Sequence, residues 1–255
     1  MIFNSNSKDF KTSNYPNKVY INGEKQLKVN HSYYFNQTKN YVDLIWDSPI
    51  SSAQYMFDKC SDIAEMDLSN FDSKLVKSMT RMFGDCSSLT SINLTNFKTS
   101  KVTMMNRMFE SCSSLTSLDL SYFDTSQVLW MNHMFYNCSS LTSLDITHLN
   151  TSKTTDMEYL FAYCSLLTSL DLSHFDISSS RQVHYMFSNC INLISLDLSN
   201  FRTSQINITY GMFLNCQSLR EINLSNFDTS KVTYMYLMFS GYTSSTSLDL
   251  SNFST

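Results

Sequence analysis

Met108-Phe109-Glu110-Ser111-Cys112-Ser113-Ser114-Leu115-Thr116-Ser117-Leu118-Asp119-Leu120-Ser121-Tyr122-Phe123-Asp124-Thr125-Ser126 is one copy of a pattern that recurs along most of the chain. Its leading Met-Phe pair stands at Met56, Met82, Met108, Met134, Met186, Met212 and Met238, with Leu160-Phe161 as the one variant, and every step is 26 residues. In-phase copies without insertion, at a period within about 20–29 residues, read as a leucine-rich-repeat type of α/β solenoid with eight repeats. With the Met of Met-Phe as position 1, Leu118 and Leu120 are two apart, the spacing of a strand that sends alternate side chains to one side. Val128, Met131, Met134 and Phe135 are spaced as one face of a short helix. The expected unit is strand, turn, helical segment and return. One parallel sheet then forms one face of the stack and helical segments form the other, each unit burying its neighbours' edges.

Composition agrees with a repeated turn. Gly (4) and Pro (2) are scarce in 255 residues, so one turn chemistry must serve many times. A net charge of −4 gives no basic footprint for nucleic acid. No apolar run reaches the roughly 18 residues of a membrane span, and Met1 to Lys8 lacks the basic and apolar segments of a signal peptide.

On this reading residues 1–17 are polar, aperiodic and expected to be disordered. Residues 18–49 form an N-terminal β cap, and 50–255 form the solenoid with its last repeat incomplete. Within the cap, Asn22-Gly23 between strand-like runs signals a two-residue hairpin, and Tyr41 to Trp46 reads as another strand. In the last unit Tyr242 and Ser245 replace the usual Cys and Leu. That unit serves as a terminal cap, or the chain stops inside a repeat, which is the preferred alternative.

The strings Met-Phe-x-x-Cys-x-x-Leu and Leu-Asp-Leu-Ser-x-Phe-Asp-Thr-Ser, nearly intact at 108–126 and 212–230, resemble the BspA-like leucine-rich repeats. That family is similar in carrying Phe (here Phe71, Phe97, Phe123, Phe175, Phe201, Phe227 and Phe253) where other leucine-rich repeats place Asn. The resemblance covers about residues 50–255. It implies a non-enzymatic microbial surface protein engaged in adhesion or in host or matrix contact. A cytoplasmic interaction scaffold is the alternative.

Few residues suggest chemistry. Seven cysteines stand in single file at position 5. A column does not converge on a metal as paired Cys-x-x-Cys ligands do. Neighbours about 5 Å apart lie within disulfide range, but buried free thiols acting as small hydrophobes are preferred. Position 12 carries Asp67, Asn93, Asp119, Asp145, Asp171, Asp197, Asn223 and Asp249. Such neighbours should raise one another's pKa and could meet a cation or a basic partner. A solvated row tempered by flanking Ser and Thr is preferred. His148 and His174 share position 15 in adjacent units, with Tyr122 one unit earlier. They are candidate metal ligands, though chance replacement of a variable Asn is favoured. The other face is variable and aromatic, with Trp130, His133, Tyr159, His184, Tyr185, Tyr210, Tyr234 and Tyr236, rings that pack along neighbouring turns or anchor a partner. Near-identical units carry no unique nucleophile, base and acid. A monomer without enzyme activity or cofactor, binding a protein or matrix partner, is therefore expected.

Overall fold

The computed structural model describes residues 1–3, 11–35, 37–243 and 248–253. The cap is a three-stranded antiparallel sheet of β1 (Lys18–Ile21), β2 (Glu24–Lys25) and β3 (Val42–Ile45), in the order β2-β1-β3. Asn22 and Gly23 both take positive φ (52° and 84°), the geometry of a tight hairpin turn whose twist matches its strands. Trp46 meets Phe71 edge-on at 5.4 Å, so the cap closes on the first ring of a phenylalanine column. Disorder over 1–17 is not what residues 1–3 and 11–17 show. Ile2 and Phe3 are buried, Ile2 N–H donates to His31 O, and Thr12–Asn14 forms a 3-10 turn. Asn14 O accepts from Trp46 Nε1. Two apolar side chains at the very N-terminus find the cap's interior, and a polarity average over the segment hides them. Residues 4–10 lie outside the described residues.

The repeats hold a larger correction. No α-helix forms where helical segments were expected, and Thr12–Asn14 is the one helical turn among the described residues. Positions 24 to 5 are overlapping turns instead: Met82 N–H donates to Met79 O, Gly84 to Arg81 and Cys86 to Phe83. The alternate N–H groups leave the unit sideways. Met79 donates to Met104 O, Arg81 to Asn106, Phe83 to Met108 and Asp85 to Glu110, at 2.7–3.1 Å. A helix would keep all these bonds internal. The three-residue spacing of the apolar side chains is therefore the step between successive turns. Positions 26 and 4 take positive φ in each unit, as at Arg81 (51°) and Asp85 (55°), which lets these turns close.

The sheet is also less continuous than expected. β4 (Glu65–Asp67) pairs in parallel with β5 (Ser91–Asn93), with Glu65 opposite Ser91. β6 (Ser195–Asp197) pairs likewise with β7 (Glu221–Asn223), and among the described residues no strands form in the three units between the pairs. The unbroken parallel contact lies instead at position 23, from Ser78 through Met104, Trp130, Asp156, Gln182 and Ile208 to Tyr234. Pitch is set on the turn side and by ring stacking. Phe57, Phe83, Phe109, Phe135, Phe161, Phe187, Phe213 and Phe239 stack at 5.2–6.1 Å with planes within 16°.

All seven cysteines are buried and free. From Cys86 to Cys216 each thiol donates to the Phe carbonyl 29 residues earlier, at 3.0–3.1 Å. That carbonyl already accepts its own turn's N–H, as Phe57 O does from Cys60. The thiol thus fills the second lone pair of a buried acceptor, and burial raises the thiol pKa, to about 12 at Cys86. The buried hydroxyls of Thr99, Thr125, Thr151 and Thr203 link units in the same way, donating to carbonyls 25 residues on at 2.8–2.9 Å. Among the described residues no helix is long and apolar enough to cross a membrane.

Candidate functional site

Two outer surfaces carry the expected residues. On the strand side Asp67, Asp119, Asp145, Asp171, Asp197 and Asp249 form one exposed column. Each accepts from the backbone N–H two residues on, at 2.9–3.0 Å. Thr147 adds its hydroxyl to Asp145 at 2.7 Å. These local bonds hold the six carboxyls below the usual range. Mutual repulsion was expected to raise them. It is the smaller effect, because water screens exposed neighbours while each short N–H bond favours the charged form directly.

Position 15 has a structural task. Asn200 Nδ2 donates to Leu172, Ser173 and Phe175 carbonyls, and Asn226 and Asn252 reach back one unit likewise. His148 does an asparagine's work, with Nε2 2.7 Å from Leu120 O. That nitrogen is engaged with the backbone, which weighs against a metal role for His148. Among the described residues no three His, Cys, Asp or Glu are grouped to hold an ion. Tyr122 is exposed on this side.

The turn side forms a ridge with two halves. In the first, Arg81 reaches Asp58 (2.9 Å), Asp85 (2.5 Å) and Glu110, and Arg107 shares Glu110 at 2.8 Å. Burial raises the pKa of Asp58 and of Glu110, outweighing the arginine. Gly84 makes the cluster possible, since a Cβ there would lie 2.7 Å from Asp58 Oδ1. No local pattern announces this cluster. It appears only when positions 26, 3 and 4 of neighbouring units are aligned.

In the second half the rings touch in series. His133 stacks on Tyr159 at 4.7 Å and Tyr159 on Tyr185 at 4.6 Å. Tyr185 meets Tyr210 at 5.0 Å, and Tyr210 meets Tyr236 at 5.6 Å. Tyr136 and Tyr163, which sequence reasoning passed over, join from positions 3 and 4. Their signal was available in the phase of the repeat. Gly211 vacates the space that Tyr185 fills, since a Cβ would meet its ring at 2.5 Å. Glu158 pairs with His184 at 3.0 Å beside the stack. Trp130 and Tyr234 belong to the position-23 column instead, four units apart. Trp130 borders a shallow groove with Asp156, Arg181 and Gln182.

No curated protein matches this chain, and no solved structure does. One family model matches twice, over residues 51–169 and 142–253, and together these cover the whole repeat region. The chain therefore belongs to the repeat family described as Mycoplasma protein of unknown function, DUF285.

Proposed function

We propose that the chain is a non-enzymatic recognition module, a solenoid allied to BspA-like leucine-rich-repeat surface proteins, that binds a protein or matrix partner at the cell surface through its turn ridge. The observation that carries this reading is the unbroken run of rings from His133 to Tyr236, which ends with Tyr236 and neighbouring Tyr234 more than 60% exposed. Aromatic side chains presented on a rigid scaffold supply contact area at low entropic cost, and such residues dominate binding energy. The strand side offers a row of carboxylates satisfied by their own turns and interrupted by Asn93 and Asn223.

Binding of the full chain to immobilised matrix proteins tests the proposal. Tyr163→Ala with Tyr236→Ala should weaken binding at least tenfold, and Asp145→Asn with Asp171→Asn should leave it within about twofold. The reverse order would move the site to the strand side. Protease accessibility on intact cells separates a surface protein from the cytoplasmic scaffold.

A further inference from the structure

The N-terminal cap carries a feature that the ridge does not explain. From Lys25 to Tyr41 the sequence holds Lys25, Lys28 and Lys39 and no carboxylate. Of the chain's 22 Asp and Glu, Asp9, Glu24, Asp43 and Asp47 precede residue 50, against six of its 18 Lys and Arg, and Lys18 is paired with Asp47. The basic character is thus local to residues 25–41, in a cap of net charge +2 on a stack of net charge −6. Tyr33 Oη donates to Lys28 O at 2.7 Å and accepts from Asn30 N–H, closing a loop. Val29 and Tyr33 pack inward on the core, and Ile2 N–H ties the loop down at His31 O. Leu27 and Tyr34 stand on either side of that closure with exposures of 104% and 107%. Phe35 and Tyr41 are exposed nearby in sequence, and Lys39 Nζ lies 5.5 Å from the Tyr41 ring and 3.9 Å from exposed Glu65.

We infer that this loop docks the cap on an anionic lipid surface, with Leu27, Tyr34 and Phe35 entering the headgroup region and Lys25, Lys28 and Lys39 facing the phosphates. Lysines, aromatic rings and a leucine together are the composition that favours a charged membrane interface. Shape favours lipid over an acidic protein. Leu27 and Tyr34 project with no wall around them, whereas a protein partner requires a complementary patch of about 800 Å². A fluid interface adapts to any protrusion. The acidic stack would be repelled by the same surface, which orients the cap inward and leaves the aromatic ridge free.

Sedimentation of the full chain with vesicles tests this. Phosphatidylcholine vesicles containing 30% phosphatidylserine should retain the protein at least fivefold better than phosphatidylcholine alone, and 0.5 M NaCl should abolish the difference. Lys25→Glu, Lys28→Glu and Lys39→Glu together should lower binding at least tenfold, with circular dichroism unchanged. Leu27→Ser with Tyr34→Ser should lower it severalfold while keeping its salt dependence. Fluorescence of a Tyr34→Trp variant should shift to the blue on anionic vesicles only. Equal retention on both vesicle types, full retention of the triple variant, or binding to polyglutamate without binding to vesicles would each overturn the inference. Loss of matrix binding in the ridge variants leaves it untouched, since those residues lie outside the cap.

Discussion

Single residues in this chain carry backbone strain that lateral hydrogen bonds offset. Lys59 has φ 64° while its N–H donates to Gly84 O at 2.7 Å. A left-handed conformation costs an L-residue about 1–2 kcal/mol, and glycine escapes most of that at an entropic cost of about 0.5–1 kcal/mol. Lys59→Gly should therefore raise stability by about 0.5–1 kcal/mol in urea unfolding, whereas Lys59→Ala should not. Gly211 predicts the opposite sign. Its φ is 58° and its missing Cβ makes room for the Tyr185 ring, so Gly211→Ala should cost about 1–3 kcal/mol and change the near-ultraviolet dichroism of the tyrosine run. His133 is half-buried, and burial with Arg107 nearby lowers its pKa from 6.5 to about 4. The folded chain keeps it neutral while the unfolded chain protonates it below about pH 6.5. Stability should then fall as pH drops from 6.5 towards 4. After discounting for solvent exposure the loss is on the order of 1 kcal/mol at pH 5. His133→Phe, which keeps the stack on Tyr159, should remove that slope, and a slope unchanged in the variant would place its origin elsewhere.

At the scale of one element, the turn ladder shows how charges survive near a core. Asp58 and Glu110 side chains are only 6% and 11% exposed, and Arg81 joins them. Arg81→Ala removes the cation shared by near-buried Asp58 and Glu110 and leaves Glu110 with Arg107 alone, so it should cost about 3 kcal/mol. Adding Asp58→Asn and Glu110→Gln to that variant should recover part of the loss. If no recovery occurs, the arginine stabilises through packing of its stem rather than through charge. The cysteine column obeys the same logic of satisfied groups. Cys138→Ala removes both the sulfur and the donor to Phe109 O, and a cost of about 1–2 kcal/mol is expected. Native protein should resist thiol labelling, and unfolded, unreduced protein should yield all seven thiols.

For the whole molecule, stability is a sum over units and their contacts. Deleting residues 134–159 removes one period and joins His133 to Leu160 in phase. The shortened chain should unfold cooperatively at a lower urea midpoint, and loss of a cooperative transition would show that the units are not equivalent. The sequence by itself determined the 26-residue period, the stacking, the single column of cysteines, the hairpin at Asn22-Gly23 and the phase that brings Tyr159, Tyr185 and Tyr210 together. The hairpin follows from its local turn residues, and the others follow from position within a repeat, which is written along the chain. Tertiary structure alone decided that the Val, Met and Phe segment runs as laterally bonded turns rather than as a helix. Apolar spacing reports which side chains face inward but not whether an N–H bonds within its unit or to the next one. It also decided the Arg81 cluster, the low pKa values of the Asp column and the engagement of His148 with Leu120, because each depends on which atom of the neighbouring unit lies within about 3 Å.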